Sequence, residues 1–299
     1  RRLSNTALQI MGFFRGHKRR GSFDLFSSYD HFIPGWKGII ILALMFGLGT
    51  VLGALILIGL KAFAGSDLAL KYGILIIYPV SFIPALLYAS ASSRLNEHRV
   101  AAVPIDGNLS ATVGKMTVIL ISACVFSTVA TAYILEAAVM LLPEMSQAMK
   151  DQLENLMNGM PIWATFISVS LFAPLFEEWL CRGLILRGLL QKTNPALAIS
   201  LSAAFFAVIH GNIWQGLPAF GMGLLFGYVY YRTGSLKLTM LMHFTNNSMA
   251  LAFSKIPQFE GAETFMDILS PWAYWCIFVL CILIVISSAA VIRSIKTPS

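Results

Sequence analysis

Residues 162–190 read IWATFISVSLFAPLFEEWLCRGLILRGLL. The run is long and apolar enough to cross a bilayer, since a spanning helix needs about 20 mostly apolar residues. Yet it carries two adjacent carboxylates, Glu177 and Glu178, and an arginine, Arg182, in its interior. A charge at that depth costs at least about 2.5–3.5 kcal/mol, so such residues are paired or functional.

The rest of the chain agrees with a membrane reading. Its 299 residues are 57% hydrophobic and 12% charged, against roughly 25% charged in ordinary globular chains. Mean hydropathy is +0.75. Eight apolar segments are predicted to span: 38–60, 72–90, 115–135, 162–190, 195–212, 217–231, 237–253 and 271–292. The fold class is therefore all-α, a polytopic membrane protein with about eight transmembrane helices. Residues 1–37 are expected to form a basic cytoplasmic segment, with 5–15 lying flat on the membrane. Residues 38–293 are expected to form the transmembrane domain, with a motif-bearing core at about 160–253. Residues 143–158 read as an amphipathic helix on the outer side.

The net charge of +7 is explained by orientation, not by nucleic acid. Arg94, Arg99, Lys115, Arg187, Lys192, Arg232, Lys237, Arg293 and Lys296 fall at one set of helix ends. Glu136, Glu144, Asp151, Glu154, Glu260, Glu263 and Asp267 fall at the other. The positive-inside rule then puts both termini in the cytoplasm. Such short loops and so strong a bias suit a bacterial inner membrane. The four cysteines, Cys124, Cys181, Cys276 and Cys281, lie in apolar segments without metal-ligand spacing and read as packing residues.

Only Glu177, Glu178, Arg182, His210 and His243 are ionisable and well inside the spans. Glu178 and Arg182 are four apart and share a helix face, so they are expected to pair. Glu177 is turned by about 100° and lacks a local partner. A desolvated, unpaired glutamate suits general acid–base work. Asn247 follows His243 by four residues, on the same face. Counted along straight helices, Glu177 and His210 each lie about 21–23 Å from the turn at 191–195. Taken from its outer end, Glu177 is expected about a third of the way in from the cytoplasm.

Three short patterns carry a resemblance. Residues 177–182, EEWLCR, have the form EExxxR; Phe206 to His210 have the form FxxxH; His243 to Asn247 have the form HxxxN. In this order on apolar helices they resemble the CPBP (Abi) family of intramembrane proteases, the type II CAAX prenyl endopeptidases. The resemblance implies an endopeptidase that hydrolyses a peptide bond within the membrane. It implies that Glu177 and His210 activate a water, that His243 and Asn247 stabilise the oxyanion, and that Arg182 holds Glu178. Phe206 is expected to pack and orient. It also implies no metal or other cofactor, and a peptide or protein substrate, lipidated or membrane-embedded. Two alternatives stand beside it. One is a zinc metalloprotease built on the same residues, although no HExxH is present. The other is a non-catalytic transporter or scaffold.

Overall fold

The computed structural model describes residues 26–107, 109, 114–259, 262 and 264–295. The segment 5–15, expected to lie on the membrane surface, falls outside them. Among the described residues there is no strand. The helices are α1 (Trp36–Ala64), α2 (Ser66–Asn96), α3 (Thr117–Val139), α4 (Gln147–Asn158), α5 (Ile162–Leu190), α6 (Pro195–Val208), α7 (Ile213–Thr233), α8 (Leu236–Phe253) and α9 (Pro271–Arg293). The chain is an all-α polytopic membrane protein. By length and apolarity α1, α2, α3, α5 and α9 are able to cross a bilayer. The shorter α6 and the more polar α7 and α8 occupy the other three predicted segments.

The boundary between α6 and α7 differs from expectation. A first segment reaching residue 212 is cut at Val208, because Gly211 turns the chain with a φ of +73°. That left-handed conformation is strained for other residues. Asn212 then caps α7, its side chain accepting from the Gln215 amide at 2.8 Å, as N-cap asparagines do. The amphipathic helix α4 begins at Gln147, capped by Ser146, and buries no residue.

α5 is the least regular helix. Residues Phe166–Phe172 and Trp179–Leu186 are wound as π-helix, on either side of the α-helical turn Ala173–Glu178. Pro174, at the junction, lacks the N–H that an unbroken ladder needs. Such i→i+5 segments are rare and recur at functional sites. The turn between them carries both glutamates.

One cation of the sequence pattern has a different place. Arg187, counted above among the cytoplasmic charges, is only 3% exposed. Its Nη2 donates to the carbonyls of Tyr29 at 2.8 Å and Phe32 at 2.6 Å, and its Nη1 donates to that of Val103. It therefore ties the stretch before α1 and the α2–α3 connection to the end of α5. Phe26, Tyr29 and Phe32 are buried in the main core. The rings of Phe26 and Tyr29 stand edge-on to Trp179 at 4.9 and 5.1 Å. Residues 26–32 thus brace α5 one residue beyond Glu178.

This brace is testable. Arg187→Ala leaves three carbonyls without their charged donor, and hydrogen bonds to charged groups contribute about 1.5–3 kcal/mol each. Its unfolding midpoint in detergent should fall by several degrees, whereas Lys192→Ala, at the exposed turn, should leave it unchanged.

Candidate active site

The two carboxylates of α5 have different surroundings. Glu178 is fully buried, as is Arg182. Its Oε1 accepts from Arg182 Nη1 at 2.9 Å. Arg182 Nη2 reaches across to α7 and donates to the Gly223 carbonyl at 3.2 Å. A side chain at Gly223 would meet Ala203 of α6 at 2.9 Å, so only glycine lets α7 approach this closely. The guanidinium also lies over the rings of Phe206 at 4.4 Å and Phe226 at 5.5 Å. Cation–π attraction strengthens where water is excluded.

Glu178 has a second partner that sequence spacing did not reveal. His243 Nδ1, from α8, lies 3.0 Å from the same Oε1. A carboxylate paired with arginine only accepts, so Nδ1 carries the proton and the tautomer is set. The opposite nitrogen, Nε2, then faces Glu177 Oε2 at 3.9 Å. That distance is too long for a direct hydrogen bond and suits one bridging water. Glu177 is 8% exposed, and its Oε2 is buried without a hydrogen-bond partner in the protein.

Glu177 Oε1 is engaged elsewhere. The hydroxyl of Tyr78, from α2, donates to it. The Tyr78 ring packs beside Phe82 at 5.5 Å, and Phe82 stacks on Phe176, the residue before Glu177. α2 thus completes the surroundings of a carboxylate carried by α5. No motif in the sequence points to Tyr78. The only available signal was that a buried carboxylate needs a donor for each oxygen.

The remaining candidates lie beside this cluster. Asn247 Nδ2 donates to the Val169 carbonyl in the first π segment at 2.9 Å, and its Oδ1 accepts from Asn246 at 3.1 Å. His210 Nδ1 lies 2.7 Å from the Phe206 carbonyl, one turn earlier. The Phe206 ring stands edge-on to both His210 and His243, at 5.0 and 5.5 Å. His210, His243 and Asn247 line one pocket of about 260 Å³. Glu177 is not among its lining residues; it borders His243 from the other side. The histidine nitrogen that faces Glu177 here is that of His243, whereas the family resemblance couples Glu177 with His210. Among the described residues no three His, Cys, Asp or Glu side chains converge as a metal-ligand set.

Comparison with known proteins falls on this region. Residues 159–249 match the model of a family described as type II CAAX prenyl endopeptidase Rce1-like. The segment is similar to that family. The matched residues contain all three motifs and, with them, Glu177, Glu178, Arg182, Phe206, His210, His243 and Asn247. Over 98 residues the chain is 28% identical to the Bacillus subtilis (strain 168) protein named "Putative membrane peptidase YdiL". The alignment covers 33% of this chain and 38% of that protein, so the chain spans about two fifths of its relative's length. No solved structure matches the chain. Tyr78 lies outside the family match.

The geometry separates the two glutamates in a measurable way. Removing one partner of a buried ion pair costs about 3–5 kcal/mol, because the other charge is stranded. Glu178→Ala and Arg182→Ala should each unfold well below the parent temperature in detergent. Glu177→Ala, which leaves only a tyrosine hydroxyl unpaired, should fall by clearly less. Equal losses for the two glutamates would contradict the division of labour.

Proposed function

We propose that the protein is an intramembrane endopeptidase. Its nucleophile is a water held between Glu177 Oε2 and His243 Nε2. The observation that carries the reading is the 3.9 Å gap between two buried, inward-facing acceptors, one of them without any partner in the protein. Similarity to peptidases over 159–249 supports the class of reaction. The site sits within the membrane, in a protein whose basic helix ends face the cytoplasm.

The chemistry follows from the positions. A water in the gap gives one hydrogen to Glu177 and one to His243, leaving its lone pairs directed away from both. On attack at a peptide carbonyl, Glu177 takes the proton as general base, a role that contributes about 10²–10⁴-fold. The carbonyl becomes an oxyanion. Asn247, with one amide hydrogen beyond its bond to Val169, supplies a donor from the pocket side, and His210 supplies a second when protonated. Glu177 then returns the proton to the departing amine nitrogen as the C–N bond breaks. Glu178, Arg182 and Tyr78 are positioning residues. The first two fix the ring of His243; Tyr78 occupies Oε1 and leaves Oε2 for the water.

Membranes containing the wild type and Glu177→Gln should differ in their peptide content, the variant lacking specific fragments although it inserts and folds normally. Full retention of those fragments in Glu177→Gln defeats the proposal and favours a non-catalytic protein. Purified active protein should carry no stoichiometric zinc. Activity lost on chelation and restored by zinc would instead assign these residues to a metal.

Tyr78→Phe provides a finer test on any peptide cleaved in that comparison. Loss of one hydrogen bond to a charged group, about 1.5–3 kcal/mol, corresponds to a drop of about 10–100-fold in kcat. KM should be unchanged, because Tyr78 meets Glu177 and is not among the residues lining the pocket beside His243. An unchanged kcat would remove Tyr78 from the machinery.

A further inference from the structure

The seam between α5 and α8 is left unfilled over part of its length. On α8, Ser248, Leu251 and Ala252 are three and four residues apart and share a face. Lys255 continues that register just past the helix end. The first half of α5 stands opposite with the bulky Trp163, Phe166 and Leu171. Ser248 and Ala252 are too small to meet them, and an open groove of about 640 Å³ remains. Near its inner end Asn247 Nδ2 donates to the Val169 carbonyl at 2.9 Å and holds the two helices together.

The groove opens toward lipid. Ile162, Trp163 and Leu171 are 60%, 52% and 43% exposed, and on a helix that crosses a bilayer such side chains face hydrocarbon. The Trp163 ring stacks on Tyr72 of α2 at 5.8 Å, at a helix end, where interfacial aromatic rings gather. From Ile162 to Leu171 the groove runs about 13 Å along the helix, from headgroup level into the acyl region.

Lys255 stands at the mouth. Its Nζ donates to the Met157 carbonyl at 2.8 Å and to Asn158 Oδ1 at 2.5 Å, at the end of α4. Both acceptors are uncharged. Among the described residues no carboxylate lies within ion-pair distance of this ammonium. An ammonium has three hydrogens, so one donor and the full positive charge remain for an anion.

We propose that this groove binds one glycerophospholipid, with an acyl chain laid along Trp163, Phe166, Leu171 and Ala252 and the phosphate on Lys255. Size favours a chain over a helix. A helix 10–12 Å across would occupy about 1,000 Å³ or more over the same 13 Å and could only rest on the rim. Charge favours a phosphate, since a purely apolar occupant leaves the Lys255 cation without a counter-charge at the membrane surface. The bound chain completes the packing across the seam that the Asn247–Val169 bond begins. Such a site stands whether or not the protein hydrolyses peptides.

The whole protein is placed in vesicles of phosphatidylethanolamine and phosphatidylglycerol with a trace of phosphatidylglycerol carrying a photoreactive diazirine in one acyl chain. After irradiation the labelled residues are mapped by mass spectrometry. Labelling at 162–171 and 248–255 should clearly exceed that on the exposed faces of α1 and α9, which serve as internal standards. Lys255→Gln should lower the groove labelling about fivefold, the loss expected for one lysine at a charged membrane surface, and leave α1 and α9 unchanged. Lys255→Arg should restore it. Ala252→Trp, which fills the groove, should remove the excess. A diacylglycerol with the same photoreactive chain and no phosphate should label the groove no better than α1 and α9. Parent-level labelling of α1 and α9 and normal elution in size-exclusion chromatography verify that each variant is inserted and folded. Groove labelling equal to that of α1 and α9 in the wild type overturns the proposal. Labelling that persists in Lys255→Gln, or that diacylglycerol matches, overturns it equally, because the phosphate then has no part. A benzophenone side chain at position 252 that captures another polypeptide, with no excess of lipid, assigns the groove to a partner helix instead.

Discussion

The carboxylate of Glu178 is the point on which the inner structure turns. Its Oε1 meets Arg182 from its own helix and His243 from α8, and Arg182 carries the connection on to the backbone of α7. Three helices are thus registered by one fully buried anion. In hydrocarbon there is no water to accept a stray donor, so any slip of α8 along α5 strands a charge. A hydrophobic contact would tolerate such a slip; an ion pair shared between two cations or donors does not. Oε1 of Glu178 is therefore a ruler, and the 3.9 Å gap between Glu177 and His243 is the distance it sets.

The same constraint explains why adjacent glutamates diverge in surroundings. On a helix, neighbours point about 100° apart. Glu178 faces α7 and α8, while Glu177 faces α2 and the edge of His243. Tyr78 meets it there and satisfies one oxygen only. The π-wound segments on either side of this turn let the helix widen without losing its backbone bonds, and the flanking braces hold it. Trp179, one residue on, is clasped by Phe26 and Tyr29, and the carbonyl of Tyr29 is held by Arg187. The helix at this turn is thus fixed from three sides.

Much of this was legible in the sequence, for a physical reason. Long apolar runs admit few readings, so the eight segments and the all-α class follow from composition and length. Glu178 and Arg182 follow from a four-residue spacing, and Glu177 stands out by elimination. The rest depends on contacts between segments far apart in the chain. Tyr78 carries no local mark among nine tyrosines, and His243 gives no hint of which carboxylate its Nδ1 faces. Arg187 reads as one more cytoplasmic cation until the carbonyls of residues 29, 32 and 103 surround it. The early end of α6 was written in the pair Gly211–Asn212, a turn glycine before a capping asparagine. In an apolar stretch those two polar signals are easily taken for part of a span.

Close to that short helix the fold also leaves open space beside His243. A bundle of full-length spans, packed as tightly as membrane helices pack, would seal a buried carboxylate from water. A hydrolase needs water at the site and a route for a polar backbone, yet lipid-exposed irregular chain is not tolerated at that depth. A pocket of about 260 Å³ lined by His210, His243 and Asn247 offers such a space. Gly211, in the turn after α6, is exposed, while His210 beside it lines that pocket. Glu178 fixes where Glu177 and His243 stand, and the pocket beside His243 gives the site its open space.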